Sequence, residues 1–184
     1  MVILIGGSSH VGKTYLAQKL LETLHYPYVS LDHLKMGFIR TGRTELTVLD
    51  DDAMRDFLWP FAAEIVKTAI ENEQDLIVEG CYIPADWKTR MPEAYLKDIY
   101  CVFLVMSERY LRAHIDTVAA EADVIERRLD DEVDLERLIR CSAWFREECA
   151  LYGIPCYEID TVFDIEDMKS FVLEGVRNKQ DGAR

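Results

Sequence analysis

The chain has 184 residues, 49% of them hydrophobic, and a formal charge of −13 at pH 7. That length suits a single domain with a full core, and no apolar run approaches the ~18 residues of a membrane span. Its acidity argues against a nucleic-acid backbone as partner, because phosphates would be repelled over most of the surface.

The opening Met-Val-Ile-Leu-Ile-Gly-Gly has no basic segment and is not expected to be a signal peptide. Val2-Ile3-Leu4-Ile5 predicts a fully buried strand. Immediately behind it, Gly7-Ser8-Ser9-His10-Val11-Gly12-Lys13-Thr14 fits G-x-x-x-x-G-K-[ST] at every fixed position. From Thr14 to Leu24, Leu16, Leu20 and Leu24 recur every fourth residue, as on one face of a helix. Strand, glycine loop and helix together predict a nucleoside triphosphate site, with ATP as the default nucleotide. Backbone amides and the helix N-terminus would face the phosphates. Lys13 would reach the β- and γ-phosphates, and the Thr14 hydroxyl would hold Mg²⁺. His10 is expected to offer its backbone N–H rather than its ring.

Further along, His25 to Ser30 reads as a turn entering a short second strand that ends at Leu31-Asp32-His33, followed by a short helix over Leu34–Ile39. Arg40 and Arg43 flank Gly42 just beyond. The segment 44–52 reads as an acidic loop, and a helix from Met54 to Ile70 is expected to kink or break at Pro60. Asp75 to Gly80 is the third strand, ending in Glu79. Ile99–Met106 is the most apolar run and predicts the central strand, after which Ser107 suits a helix N-cap.

From Asp116 to Glu136 nine acidic residues surround two basic ones, Arg127 and Arg128. Leu135–Tyr152 resumes helical spacing and Gly153 stops it. A fifth strand over Pro155–Ile159 and a last helix over Ile165–Val176 precede a tail that reads as frayed. Strands alternating with helices predict an α/β three-layer sandwich on a parallel sheet, strand order 2-3-1-4-5. Neither a repeat nor a linker divides the chain, so residues 1–184 form one expected domain. Five cysteines without C-x-x-C spacing suit a reducing cytoplasm and no zinc site.

Two other uses of the phosphate loop fit poorly. Asn178-Lys179-Gln180-Asp181 spells the N-K-x-D by which GTPases read guanine, but it lies in the last seven residues and no D-x-x-G accompanies it. Mechanical ATPases pair the loop with a strand ending in Asp or Asp-Glu, for which Glu79 is a weak substitute.

The loop, the acid after strand two and the charged segment after strand four resemble the small P-loop kinases. That group spans nucleoside monophosphate kinases, shikimate and gluconate kinases, and the chloramphenicol phosphotransferase and zeta-toxin families. Gly6-Gly7-Ser8-Ser9 before Gly12-Lys13 is similar to the antibiotic phosphotransferase loop, with one residue more. The resemblance places Asp32 where those families carry the proposed base, and Ile77-Val78-Glu79-Gly80 looks like the zeta-toxin third-strand end. Arg128-Leu129-Asp130-Asp131 is similar to the R-x-D-D of adenylate kinase lids, with Arg137 or Arg140 standing for the later lid arginine. The G-x-P-R of nucleoside monophosphate kinases has no counterpart, since Gly80-Cys81-Tyr82-Ile83-Pro84-Ala85 lacks the arginine. The pattern also looks like the bacterial 2-phosphoglycerate kinase-like proteins.

The resemblance implies a substrate-binding segment over about residues 32–60, a helical lid over about 116–136, and a monomer or homodimer. The expected reaction moves the γ-phosphate of ATP·Mg to a small-molecule acceptor, a hydroxyl in preference to a phosphate. Lys13, Asp32, Glu79 and Arg128 are the candidate catalytic residues, and Gly7 to Thr14 with Arg127 would bind the nucleotide. Asp32, His33, Arg40, Arg43 and Tyr82 would bind the acceptor, and Thr14 with Glu79 the metal. We favour Asp32 as base, with Glu79 the alternative. A plainer role exists for several: Asp32 as a helix cap, Arg40 and Arg43 as solvated surface, His33 and Tyr82 as pocket wall. A nucleoside monophosphate kinase-like enzyme and a non-catalytic nucleotide-binding regulator are the other readings.

Overall fold

The computed structural model of the chain describes residues 1–120 and 133–182. Five strands, β1 (Val2–Gly7), β2 (Tyr28–Ser30), β3 (Leu76–Glu79), β4 (Ile99–Met106) and β5 (Cys156–Ile159), pair in parallel in the order β2-β3-β1-β4-β5. The register sets Ile5 beside Glu79 on one side and Gly7 beside Leu104 on the other. Helices α1 (Lys13–Leu24), α2 (Leu31–Arg40), α3 (Asp51–Glu71), α4 (Glu93–Leu96), α5 (Glu108–Ala120), α6 (Leu135–Tyr152) and α7 (Ile165–Gly182) make the connections.

Side-chain alternation along β1 builds the core on both faces of the sheet. Val2 and Leu4 point to the layer of α3 and α6, where Leu58, Ala62, Val66 and Phe145 cover them. Ile3 and Ile5 point to the layer of α1 and α7, against Leu16, Leu20, Met168 and Val172. All four β1 side chains are fully buried, each contributing about 1.5–3 kcal/mol relative to exposure. That is why the strand reads as an unbroken apolar run: a central parallel strand has no wet face.

Three local expectations are corrected. Helix α3 runs from Asp51 to Glu71 through Pro60 without a break. Pro60 lies on its exposed side, where the lost hydrogen bond faces water, while neighbouring Leu58, Trp59 and Ala62 hold the inner side in the core. Helix α2 starts at Leu31 rather than Leu34, because buried Leu31 belongs to the core. Helix α7 continues to Gly182, so the C-terminal tail is helical as far as it is described. Ala120 still belongs to α5, although it falls in the acidic segment; residues 121–132 of the expected lid lie outside the described residues.

Other signals hold. The Ser107 side chain accepts from Tyr110 N–H at 3.0 Å, and Gly153 ends α6 in the left-handed region at φ 61°. Among the described residues no helix is long and apolar enough to cross a membrane.

Candidate active site

The C-terminal ends of β1, β2 and β3 converge, which is where open α/β sheets bind ligands. The turn from β1 into α1 is built by its backbone conformation. Gly7 has φ 112°, and a Cβ there would stand 2.0 Å from the Leu104 carbonyl oxygen. His10 at φ 61° and Gly12 at φ 86° are left-handed as well. The Ser8 amide is held by the Leu104 carbonyl, and the first intrahelical bond is Leu16 N–H to Gly12 O. Lys13, Thr14 and Tyr15 therefore carry the unsatisfied first-turn donors of α1. The Val11 side chain is buried in the core and anchors the loop.

Lys13 is the buried cation of the site, and its Nζ donates to the Ser8 carbonyl at 2.6 Å. Thr14 Oγ1 donates to Glu79 Oε1 at 3.2 Å. Glu79 is 1% exposed at the end of β3, a placement that costs free energy unless the carboxylate is compensated. A hydroxyl and a carboxylate side by side at the start of α1 form an all-oxygen donor set. That set fits Mg²⁺, which takes one or two protein oxygens and completes its shell with phosphates and water.

Asp32 stands in the first turn of α2, one residue inside the helix, so the helix-cap role does not apply; Ser30 occupies the N-cap position. The Lys35 ammonium, one turn on, donates to Asp32 at 2.6 Å and to the Tyr82 hydroxyl at 3.0 Å. It also lies 5.1 Å from the centroid of the Tyr82 ring. Burial raises the Tyr82 phenol well above its ordinary value, so its hydroxyl keeps its proton. Burial likewise pushes the Cys81 thiol up to about 12, with the Asp32 charge adding to the effect. The Cys81 residue is part-exposed as a whole while its sulfur is enclosed. The Lys13 and Lys35 cations oppose that shift.

Helix α6 closes the third side. Ser142 Oγ donates to Ser8 Oγ at 3.0 Å, both fully within the protein. The adjacent Cys141 thiol is hydrogen-bonded by the Ser9 backbone and is raised by burial. Arg137 pairs with Asp51, joining the first turns of α6 and α3. Arg55 of α3 stacks on Trp144 at 4.8 Å and pairs with Asp52.

The structure thus brings Lys13, Thr14, Glu79, Asp32 and Tyr82 to one end of the sheet. His33, Arg40 and Arg43 are exposed, with Arg40 about 12 Å along α2 from Asp32. Arg127 and Arg128 lie outside the described residues. The sequence reading missed Lys35 as a member of the site, although its i+3 spacing from Asp32 was visible. It also missed Ser142, whose partner Ser8 is 134 residues away and left no local signal.

Neither a protein-family model nor a curated protein sequence matches the chain. Solved structures do. A gluconokinase from Sinorhizobium meliloti 1021 superposes with TM-score 0.58 at 16% identity, over 98% of this chain and 94% of that one. A shikimate kinase from Aquifex aeolicus gives 0.57 at 18% identity, over 98% of each chain. A deoxyadenosine kinase from M. mycoides gives 0.54 at 14%, over 97% of this chain and 100% of that one. At these identities the likeness is one of architecture: the chain has the fold of the small P-loop kinases.

Proposed function

We propose that the protein is a small-molecule kinase that moves the γ-phosphate of ATP·Mg to an acceptor hydroxyl. The observation that carries this reading is the placement of Asp32 at the sheet end that also holds Lys13 and the Thr14–Glu79 pair. The similar folds of a gluconokinase and a shikimate kinase support it.

Phosphoryl transfer is mostly positioning and charge neutralisation. In this reading the loop amides and Lys13 hold the phosphate chain in line with the acceptor. Thr14 and Glu79 would hold Mg²⁺, which supplies charge neutralisation at the phosphates. Asp32 accepts the proton of the acceptor hydroxyl as that oxygen bonds to phosphorus and ADP departs. Lys35 fixes the Asp32 carboxylate, and buried Tyr82 fixes Lys35. Arg127 or Arg128 would add positive charge over the moving group.

Two substitutions and a screen test the reading. A metabolite pool is incubated with enzyme, ATP and magnesium, and searched by mass spectrometry for gain of one phosphate. Lys13→Ala is expected to abolish nucleotide binding and turnover together, whereas Asp32→Asn abolishes turnover and leaves binding intact. Unchanged turnover in Asp32→Asn sinks the base assignment. A product formed only from AMP, CMP or UMP would favour a phosphate acceptor instead.

A further inference from the structure

A cavity of about 800 Å³ opens at the opposite end of the sheet, where β4 begins. Its walls are apolar, formed by Trp87, Leu96, Ile99, Ile154 and Phe171. Its charged groups are Lys88, Lys179 and Glu174. Asn178 and Lys179 come from the run that spells the guanine-reading motif. Here they line this cavity with the start of β4, far from Gly7–Thr14, so they do not serve a nucleotide at the loop.

Two features shape the wall of the cavity. The first is Trp87, 2% exposed, whose buried indole Nε1 lies against the Cys101 thiol, a weak acceptor. The second is Gly175 in α7, where a Cβ would stand 1.9 Å from the Tyr100 hydroxyl. The missing side chain lets α7 lie directly over Tyr100 in the cavity wall. Burial pushes the Tyr100 phenol up to about 12, so this hydroxyl remains a donor at neutral pH.

The charges fix the chemistry of the occupant. The Lys88 ammonium rides 5.8 Å from the centroid of the Trp87 ring, beside the apolar wall. Lys179 stands in the last turn of α7. Two ammonium groups against the single Glu174 carboxylate leave one net positive charge at the cavity, in a chain whose total is −13. That balance suits a monoanion and disfavours a polyphosphate.

We infer that this cavity is a second ligand site, separate from the phosphate loop, for a small amphipathic organic anion. A flat or branched apolar body would lie against Trp87 and Phe171, with its acidic head between Lys88 and Lys179. The site does not depend on the kinase reading.

Anilinonaphthalene sulfonate, an aromatic monoanion, is a direct probe. It is titrated into the full chain with saturating ATP and magnesium present, so that the phosphate loop is blocked. One saturable site per chain is expected, with affinity reduced about tenfold in the Lys88→Gln/Lys179→Gln double variant. Leu96→Trp, which fills the cavity from its wall, should abolish the fluorescence gain. Naphthoate should compete while uncharged naphthalene methanol at equal concentration does not. The absence of saturable binding, a dye signal that appears only when ATP is omitted, or equal affinity in the double variant overturns the site. Should Leu96→Trp fail to fold by circular dichroism, the lysine double variant decides alone, because it removes only two rim charges.

Discussion

The hydroxyl of Thr14 and the carboxylate of Glu79 meet at 3.2 Å, tying the first turn of α1 to the last residue of β3 across 65 positions of sequence. Glu79→Gln keeps the size and an acceptor oxygen but removes the charge. Magnesium is then expected to strengthen ADP binding about tenfold less than in the parent, while metal-free binding is unchanged. Isothermal calorimetry with and without magnesium reads the difference. Equal magnesium dependence in both proteins would remove Glu79 from the metal site.

Lys35 holds Asp32 from one turn away, with both side chains largely enclosed. Lys35→Met should cost about 1–2 kcal/mol in chemical denaturation, because the carboxylate loses its cation in a half-buried place. ATP affinity should stay within twofold, since Lys35 is bonded to Asp32 and Tyr82 rather than to the loop.

Removing one hydroxyl from α6 should be felt in the phosphate loop. Ser142→Ala deletes the donor to Ser8, at a cost of about 1 kcal/mol in stability. Nucleotide affinity is expected to fall severalfold as the loop loses that support. A loss of stability with unchanged ADP affinity would confine Ser142 to a structural role.

Gly12 has φ 86°, and a Cβ there would lie 2.9 Å from the Phe163 ring. Gly12→Ala should therefore lower stability by about 1–2 kcal/mol through backbone strain and displacement of Phe163. It should also abolish measurable ADP binding. Wild-type affinity in this variant would show that the loop needs no left-handed residue at that position.

The alkaline limb of stability should carry the signature of Cys81. Its folded value, about 12, lies above the ordinary thiol value of 9.0. The stabilisation is complete below pH 9 and is lost as pH rises toward 12, because the unfolded chain releases the proton first. Thermal melts of Cys81→Ala should decline less steeply than those of the parent over that window. Parallel curves would mean that the thiol ionises as readily in the folded protein.

Much of the architecture was legible because it is carried by local periodicity. Ile99–Met106 is apolar on both faces and could only be an interior strand, and Leu135–Tyr152 was bounded correctly by the spacing of Leu138, Ser142, Phe145 and Cys149 and by Gly153. Pro60 misled because a proline's cost depends on which side of the helix faces water, and that is a property of the packed molecule. The turn from β1 into α1 was legible for a related reason: its glycines and flanking residues are consecutive. Ser142 with Ser8, and Asp51 with Arg137, are separated by 134 and 86 residues, and only the folded chain brings them together. Lys35 was visible at the right spacing, but its value to Asp32 depends on Tyr82, which arrives 47 residues later from the end of β3.

Arg137 and Asp51 bridge the two helices that flank the cleft, and both side chains stand about half in water. Exposed pairs of this kind are worth ~0–1 kcal/mol, close to the thermal energy. Opening this pair alone therefore costs little. The fastening across the rim of the cleft is a light one.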